Sequence, residues 1–150
     1  MNGLTMNEAA LIQKETHLPL EFIKNFHSVE EYNIYKQSGL EAEKMMGIFA
    51  YLRKIDLKSV ITDQYGKTMT NTERILKGFS PVDPNGIPYE IHHIGQQPNS
   101  PFAILTKAEH MQGGNNKILH WRTASDVEHG AEWAKTVTKF WKDYLELMGG

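Results

Sequence analysis

The chain has 150 residues and a mass of 17.2 kDa, a length typical of one compact domain rather than of a multidomain machine. With 40% hydrophobic and 23% charged residues it has the composition of an ordinary globular protein, and no apolar run is long enough to span a membrane. The net charge of −2 does not itself indicate a nucleic-acid partner, and the lack of cysteine excludes disulfides, thiolate zinc sites and cysteine nucleophiles.

Three short helices are predicted before residue 40. Two S/T-x-x-E capping boxes, Thr5 with Glu8 and Ser28 with Glu31, open the first and third helices. An amphipathic stretch after residue 19 gives the second helix, and Gly39 can end the third in a left-handed conformation. No signal peptide is encoded at the start of the chain, which favours either a cytoplasmic protein or a domain of a longer polypeptide.

The middle of the chain is basic. Residues 44–77 carry seven Lys or Arg against three acids, whereas the sections before and after carry net charges of −4 and −2. Such a section suits either a phosphate backbone or a solvated face. The run from residue 45 to 61 fits a helix or a strand, and strand is preferred because Ile48, Ala50 and Leu52 alternate. Asn71 is predicted to cap a short helix over 72–77 that ends at Gly78.

A turn-rich segment at 81–88 leads to a predicted strand pair. In the first strand, alternation places two sets of side chains on opposite faces, namely Tyr89, Ile91 and His93, and Glu90, His92 and Ile94. The second strand is the apolar run at 102–105. A third capping box, Thr106 with Glu109, opens the next helix, and Asn115 or Asn116 can cap another that carries His120.

The last predicted element is a long helix that opens at Ser125 with Glu128. Its apolar stripe is predicted to be core and comprises Val127, Ala131, Ala134, Val137, Trp141, Tyr144 and Met148, with Trp133 and Phe140 beside it.

Histidine is enriched, with seven copies, five of them at or after position 92. His92 and His93 end a predicted strand, and Asn116 and His120 are four residues apart, on one face of a following helix. A strand pair followed by a helix can hold a divalent ion in this way with open coordination positions. Phosphodiester hydrolysis needs such a site, because a histidine can take a proton from water and a cation can neutralise charge on the phosphoryl oxygens.

The segment from Thr70 to His120 closely resembles the LHH group of HNH/endonuclease VII nucleases, which occur as C-terminal toxin domains of bacterial polymorphic toxins. The matching motifs are TN-x-ER-x-x-KG, P-x-D-P-x-G, EIHHIGQ, SP-x-A-x-LT, the pair Glu109-His110 and the closing ILH. The stretch EEYNIYKQSGL at 30–40 also resembles the lead-in that precedes such domains. One departure is Ile91, which stands where the group has the leucine that names it.

The resemblance implies an α+β fold with a ββα-metal (HNH/His-Me finger) core in a single nuclease domain over 1–150. Residues 1–69 are then a mainly helical lead-in, 70–124 the ββα-metal motif and 125–150 a long C-terminal helix.

The resemblance also implies site residues. His92 would be a metal ligand and His93 the general base, although the two roles could be exchanged. His120 would be a ligand from the helix rather than a buried capping histidine, with Asn116 or Asn115 completing the metal site or bracing the loop. His110 could be a ligand, a phosphate contact or a charge at a helix C-terminus.

Other residues take supporting roles. Glu90 is expected to hydrogen-bond an imidazole that binds the metal and so to orient it, unless Glu90 faces solvent. Arg74 and Lys77 would contact phosphate, although an exposed helix carries such charges in any case. The remaining histidines, His17, His27 and His129, lie outside the motif and are expected at the surface.

The function implied is a metal-dependent endonuclease toxin acting on nucleic acid in competitor bacteria, with DNA favoured over RNA as the target. Its cofactor would be a divalent ion (Mg, Mn, Zn or Ni), its partner a cognate immunity protein, and no membrane is involved. It would be secreted or delivered as part of a longer polypeptide and act in the target-cell cytoplasm. The alternatives are a non-catalytic metal-stabilised binding module using His92, His110 and His120, and a hydrolase of small phosphoesters.

Overall fold

A computed structural model describes residues 3–45, 48–94, 101–111, 115–119 and 131–149 of the chain. The described helices are Met6–Thr16 (α1), Leu20–Ile23 (α2), Val29–Gln37 (α3), Asn71–Leu76 (α4), Lys107–Met111 (α5), Asn115–Leu119 (α6) and Ala131–Leu147 (α7). The described strands are Glu41–Met45 (β1), Ile48–Leu52 (β2), Val60–Thr62 (β3), Thr68–Thr70 (β4), Glu90–His93 (β5) and Phe102–Leu105 (β6). The predicted α+β class, with a long C-terminal helix, is confirmed. None of the helices in these ranges is long and apolar enough to cross a membrane.

Local capping signals fix the three lead-in helices. Thr5 and Glu8 form the predicted reciprocal capping box of α1. Ser28 accepts a hydrogen bond from the backbone N–H of Glu31 at the start of α3, but the Glu31 carboxylate turns into the core instead of completing the box. Gly39 follows α3 with φ of +75°, as predicted for a residue that ends a helix.

Strands β5 and β6 form the predicted antiparallel hairpin and belong to a four-stranded sheet of order β1-β2-β6-β5. The strand preferred at 45–61 is confirmed in β2, which pairs antiparallel with β1 and parallel with β6. The sequence did not predict β1, β3 and β4, so the lead-in contains strands as well as helices. The domain boundaries at 69/70 and 124/125 stay predictions, and the second lies outside the described residues.

The sheet separates two apolar clusters, because alternate residues of each strand point to opposite faces. In β6, Ala103 and Leu105 join the cluster formed with α1, α2, α3 and α6. Phe102 and Ile104 of the same strand pack into the cluster that contains the buried residues of α7. The lead-in helices therefore cover the face of the β5–β6 hairpin opposite to the one that α7 covers.

The N-cap of α4 was wrongly assigned to Asn71. Thr70 is the cap, in a reciprocal box with Glu73, and Asn71 is the first residue of the helix. The buried Asn71 amide donates to the carbonyls of Asp56 and Val82 and accepts from the Val82 N–H at 2.7 Å. Asn71 thus ties α4 to the segment that precedes β5.

Replacement of Gly86 by alanine should destabilise the protein more than replacement of Gly66. Both glycines have left-handed backbones, with φ of +80° and +85°. A Cβ at Gly86 would lie 2.3 Å from the Thr62 carbonyl oxygen, whereas at Gly66 no described atom lies within 4 Å. We expect Gly66→Ala to lower the free energy of unfolding by about 1 kcal/mol, and Gly86→Ala by about 3 kcal/mol. Urea denaturation measures both, and equal losses would contradict the close approach.

Glu31 should make stability depend on pH. Burial raises the pKa of its carboxyl from 4.5 to about 7, against the opposing hydrogen bonds from the Tyr35 hydroxyl and the His27 N–H. A folded-state pKa above the unfolded one gives a stabilising contribution that is complete below pH 4.5 and is lost as the pH rises through 7. The change is about 3 kcal/mol.

In the variant Glu31→Gln, the fall in unfolding free energy between these two pH values should largely disappear. Glu30→Gln, at an exposed position of the same helix, should keep it. Thermal denaturation across this pH range compares the three proteins, and an identical pH profile for Glu31→Gln and the unmodified chain would show that the prediction is wrong.

Candidate metal centre

The β5–β6 hairpin sends its two adjacent histidines to opposite faces of the sheet. In the register of the hairpin, His92 lies opposite Ala103 and His93 opposite Phe102. Both side chains are buried, with His92 3% and His93 7% exposed. The alternation predicted for this strand is therefore present. The two histidines consequently have different neighbours, one set on each face of the sheet.

His92 shares its face with His110 and Glu90. The ring centroids of His92 and His110 are 5.1 Å apart. Glu90 Oε1 lies 2.7 Å from His110 Nδ1, within hydrogen-bond distance. Glu90, expected either to orient an imidazole or to face solvent, thus contacts an imidazole while its side chain stays 37% exposed. A carboxylate hydrogen-bonded to an imidazole fixes the tautomer and the orientation of the ring, an arrangement that is typical of metal-bound histidines.

His110 is held in place by the capping box of α5. Thr106 Oγ1 accepts from the Glu109 N–H, and Glu109 accepts from the Thr106 N–H at 2.8 Å, as the sequence predicted. Arg53 of the segment after β2 binds the Glu109 carboxylate. The backbone N–H of His110 donates to the Thr106 carbonyl at 3.0 Å. The imidazole of His110 therefore projects from a short helix that is fixed at its N-terminal end.

Asn115 joins α6 to α5. Its side-chain N–H donates to the Glu109 carbonyl at 2.8 Å. Of the two roles predicted for Asn115, this contact fits the bracing of the loop. The side chain of Asn116 and all of His120 lie outside the described residues, so their predicted roles as ligands stay predictions.

The aromatic ring of Tyr35 packs next to the imidazole of His92. Tyr35 is buried in α3, with its ring centroid 6.4 Å from that of His92. Its hydroxyl donates to the Glu31 carboxylate. Sequence reasoning missed both residues, because Glu31 was interpreted only as half of a capping box. The signal available was the i,i+4 spacing of Glu31 and Tyr35 on the apolar face of a helix.

His93 occupies an aromatic environment on the other face. Its ring centroid lies 4.4 Å from that of Phe102 and 5.1 Å from that of Trp133 in α7. Phe102 also packs on Phe140 at 5.3 Å. The structure therefore brings His92, Glu90 and His110 together and places His93 apart from them.

The described donors fit part of a divalent-metal site. Among the side chains that the structure describes, no group of three or more His, Asp or Glu is arranged to hold a metal ion. His92 and His110 offer two imidazoles, and the chain has no thiol. Imidazole suits Zn and Ni better than it suits Mg or Mn. A complete metal site requires at least one further donor side chain, and the sequence predicts His120 as that donor.

Arg74, which the sequence predicts to contact phosphate, is instead buried in an ion pair. Its guanidinium is buried and donates to the Asp63 carboxylate at 2.9 Å and to the Ser80 carbonyl at 2.8 Å. Desolvation tends to raise the pKa of Asp63, but the N–H groups of Lys67 and Tyr65, together with Arg74, hold it below its usual value. Arg74 is therefore engaged in a structural ion pair, while Lys77 is exposed and stays a predicted phosphate contact.

Of the histidines outside the motif, His17 is exposed, as expected. His27 is partly buried and donates its backbone N–H to Glu31 at 2.7 Å, so the surface prediction does not hold for it. His129 lies outside the described residues.

Comparison with known families gives a match over the second half of the chain. A family model described as a nuclease of the HNH/ENDO VII superfamily with conserved LHH matches residues 70–146, just over half of the chain. These residues include α4, β5, β6, α5, α6 and all but the last residue of α7. Neither the curated proteins nor the solved structures gave a match.

Proposed function

We propose, on the premise that this chain belongs to the LHH family of nucleases in the HNH/ENDO VII superfamily, that it hydrolyses phosphodiester bonds at a divalent-metal centre on the His92 face of the β5–β6 hairpin. One observation carries the location of the centre. Two imidazoles lie side by side, and one of them is hydrogen-bonded to a carboxylate. Nucleases of this superfamily generally depend on a metal. The pairing of ring and carboxylate is typical of the surroundings of a metal-bound histidine.

In this proposal His92 and His110 hold the cation, with His120 or Asn116 as further donors. When bound, the divalent cation supplies a Lewis acid for the charge that develops on the phosphoryl oxygens. Glu90, hydrogen-bonded to Nδ1 of His110, orients that imidazole and fixes its tautomer. Tyr35 fills the space behind His92 and keeps water from that side of the ring.

We assign proton transfer from water to His93 on the family resemblance alone, since the described geometry places its ring on the face opposite to His92 and His110. A neutral imidazole is suited to this step because its ordinary pKa lies near neutral pH. Since His93 lies on the other face from His92, replacing each histidine should have a different effect on metal binding. His93→Ala should keep metal affinity and lose turnover, whereas a variant at the metal centre should lose both.

Glu90→Gln is expected to weaken divalent-metal binding by about 10- to 100-fold. The neutral amide cannot stabilise the tautomer of His110 as the carboxylate does. Isothermal titration with Zn²⁺ or Mn²⁺ measures the dissociation constant. Glu21→Gln, at an exposed position of α2, is the control and should leave it unchanged. An unchanged affinity in Glu90→Gln would place the metal elsewhere.

The experiment that tests the proposal is cleavage of plasmid DNA, of single-stranded DNA and of RNA by the purified chain. Mg²⁺, Mn²⁺, Zn²⁺ and Ni²⁺ are each added with and without chelator. The control for His93→Ala is His17→Asn, because Asn tolerates the left-handed φ of +61° at that helix end. We expect cleavage with at least one metal, loss in His93→Ala and retention in His17→Asn. Intact DNA and RNA with every metal would contradict the proposal.

We further propose that the chain is the toxin domain of a longer, delivered polypeptide and acts on DNA in the cytoplasm of competitor bacteria, with a cognate immunity protein protecting the producer. The support is the family resemblance of the motif. Expression in a bacterial host without a partner should arrest growth. Normal growth at a demonstrated level of the soluble chain would count against a toxin.

A further inference from the structure

Exposed apolar side chains concentrate around the β3–β4 hairpin and α4. Of the nine large hydrophobic side chains that are exposed in the described part of the chain, four lie within residues 60–79. Tyr65, at the turn of the hairpin, is 83% exposed, and Phe79, just after α4, is 42% exposed. Together with the exposed lysines of the same segment they form what we term the hairpin platform, defined as Val60, Tyr65, Lys67, Leu76, Lys77 and Phe79.

The turn that carries Tyr65 is held rigidly. The Asp63 carboxylate accepts from the backbone N–H groups of Tyr65 and Lys67, each at 2.9 Å. Arg74 binds the other oxygen of this carboxylate at 2.9 Å. The backbone N–H of Gln64 donates to the Gly86 carbonyl, in the turn that precedes β5. An aromatic ring on a fixed backbone loses little entropy on binding, so its exposure favours a ligand-contacting role.

The platform combines aromatic rings with cations. Lys67 Nζ lies 5.2 Å from the centroid of the Phe79 ring, and Arg74 Cζ lies 5.6 Å from it. Residues 44–77, which include most of the platform, carry a net charge of +4 in a chain whose total is −2. The sections on either side are net negative. Within this section Arg53 and Arg74 are paired with Glu109 and Asp63, so Lys67 and Lys77 are the exposed cations that the platform offers to a polyanion.

We propose that the hairpin platform binds single-stranded nucleic acid, with Tyr65 and Phe79 stacking on bases and Lys67 and Lys77 contacting phosphates. Stacking on aromatic side chains beside a basic surface is how proteins bind single strands without reading their sequence. A duplex offers no free base faces to Tyr65. This inference rests on the proposed nuclease function and specifies the form of its substrate. The platform leads through the Gly86 turn to β5, which carries His92.

The test is fluorescence anisotropy of labelled single-stranded DNA, single-stranded RNA and duplex DNA with the full chain, in chelator so that no cleavage occurs. Tyr65→Ala should weaken single-strand binding about tenfold, and Tyr65→Phe should restore it, because stacking needs the ring and not the hydroxyl. Leu11→Ala, at an exposed position of α1, is the apolar control. Lys67→Ala should reduce the slope of log Kd against log salt by about 1, and Lys24→Ala should not.

If Tyr65→Ala and the unmodified chain bind single strands with equal affinity, the proposal is wrong, and the platform is then a candidate surface for a protein partner. An absence of single-strand binding, or a loss in Tyr65→Ala that is the same for duplex as for single strands, would also contradict the proposal. Comparison of single-stranded DNA with single-stranded RNA shows which of the two nucleic acids the platform binds. Single-strand binding that depends on Tyr65, without metal-dependent cleavage, would contradict the nuclease proposal and support the single-strand proposal. Metal-dependent cleavage without Tyr65-dependent binding would support the nuclease proposal and contradict the single-strand proposal.

Discussion

Replacement of His92 by alanine should lower the rate of nucleic-acid cleavage by about 1,000-fold or more. The variant loses one of the two described imidazoles of the proposed metal centre. A metal that stabilises the phosphoryl transition state contributes several kcal/mol, and each 1.4 kcal/mol is about tenfold in rate. The measurement is the single-turnover cleavage rate at saturating metal.

Since His92 is buried, a folding control must accompany this variant. Circular dichroism and the midpoint of thermal denaturation without metal establish whether His92→Ala is folded. In the unmodified chain, added metal should raise that midpoint, and in folded His92→Ala this rise should be lost. A folded His92→Ala that cleaves within tenfold of the unmodified chain would show that the centre is not on this face.

Replacement of Arg74 by methionine should lower the thermal midpoint by about 10 °C. The change keeps most of the apolar stem but leaves the buried Asp63 carboxylate without its cation. It also removes the hydrogen bond to the Ser80 carbonyl and the guanidinium over the Phe79 ring. A buried ion pair is costly to break from one side, because the remaining charge stays buried without compensation.

Lys77→Met is the matched control for Arg74→Met, because Lys77 follows the same helix and is exposed. It should keep the thermal midpoint within about 2 °C, since exposed charges contribute little to stability. If Lys77 contacts phosphate, its variant loses nucleic-acid affinity instead. Equal thermal midpoints for Arg74→Met and Lys77→Met would contradict the structural ion pair and would favour the phosphate contact that the sequence predicts for Arg74.

The elements around the site were largely predictable from local patterns. The alternation of apolar and polar residues in β5 gave the correct faces for His92 and His93. The T-x-x-E signal before α5 gave the cap that positions His110. Both depend on residues within four positions of one another, which is the range over which sequence patterns act directly. The same signal, Thr70 with Glu73, was present at α4 but was overlooked in favour of Asn71.

Contacts between distant residues could not be predicted in this way. Arg74 pairs with Asp63 eleven positions away, and a charged residue on a short helix gives no sign of burial in the sequence. Strand β1 has the sequence EAEKM, whose charged residues have low strand propensity, and it forms because β2 pairs with it. Ala134, predicted to be core, is exposed, whereas Leu145 of the same helix is buried.

The position of a bound cation tests the central claim most directly. Crystals grown with Zn²⁺ would show the ion as an anomalous-scattering peak. We expect a peak at a bonding distance of about 2.0–2.1 Å from a ring nitrogen of His92, on the face shared with Glu90 and His110. A peak on the opposite face, beside His93, Phe102 and Trp133, or a cation with no bond to His92, would contradict it.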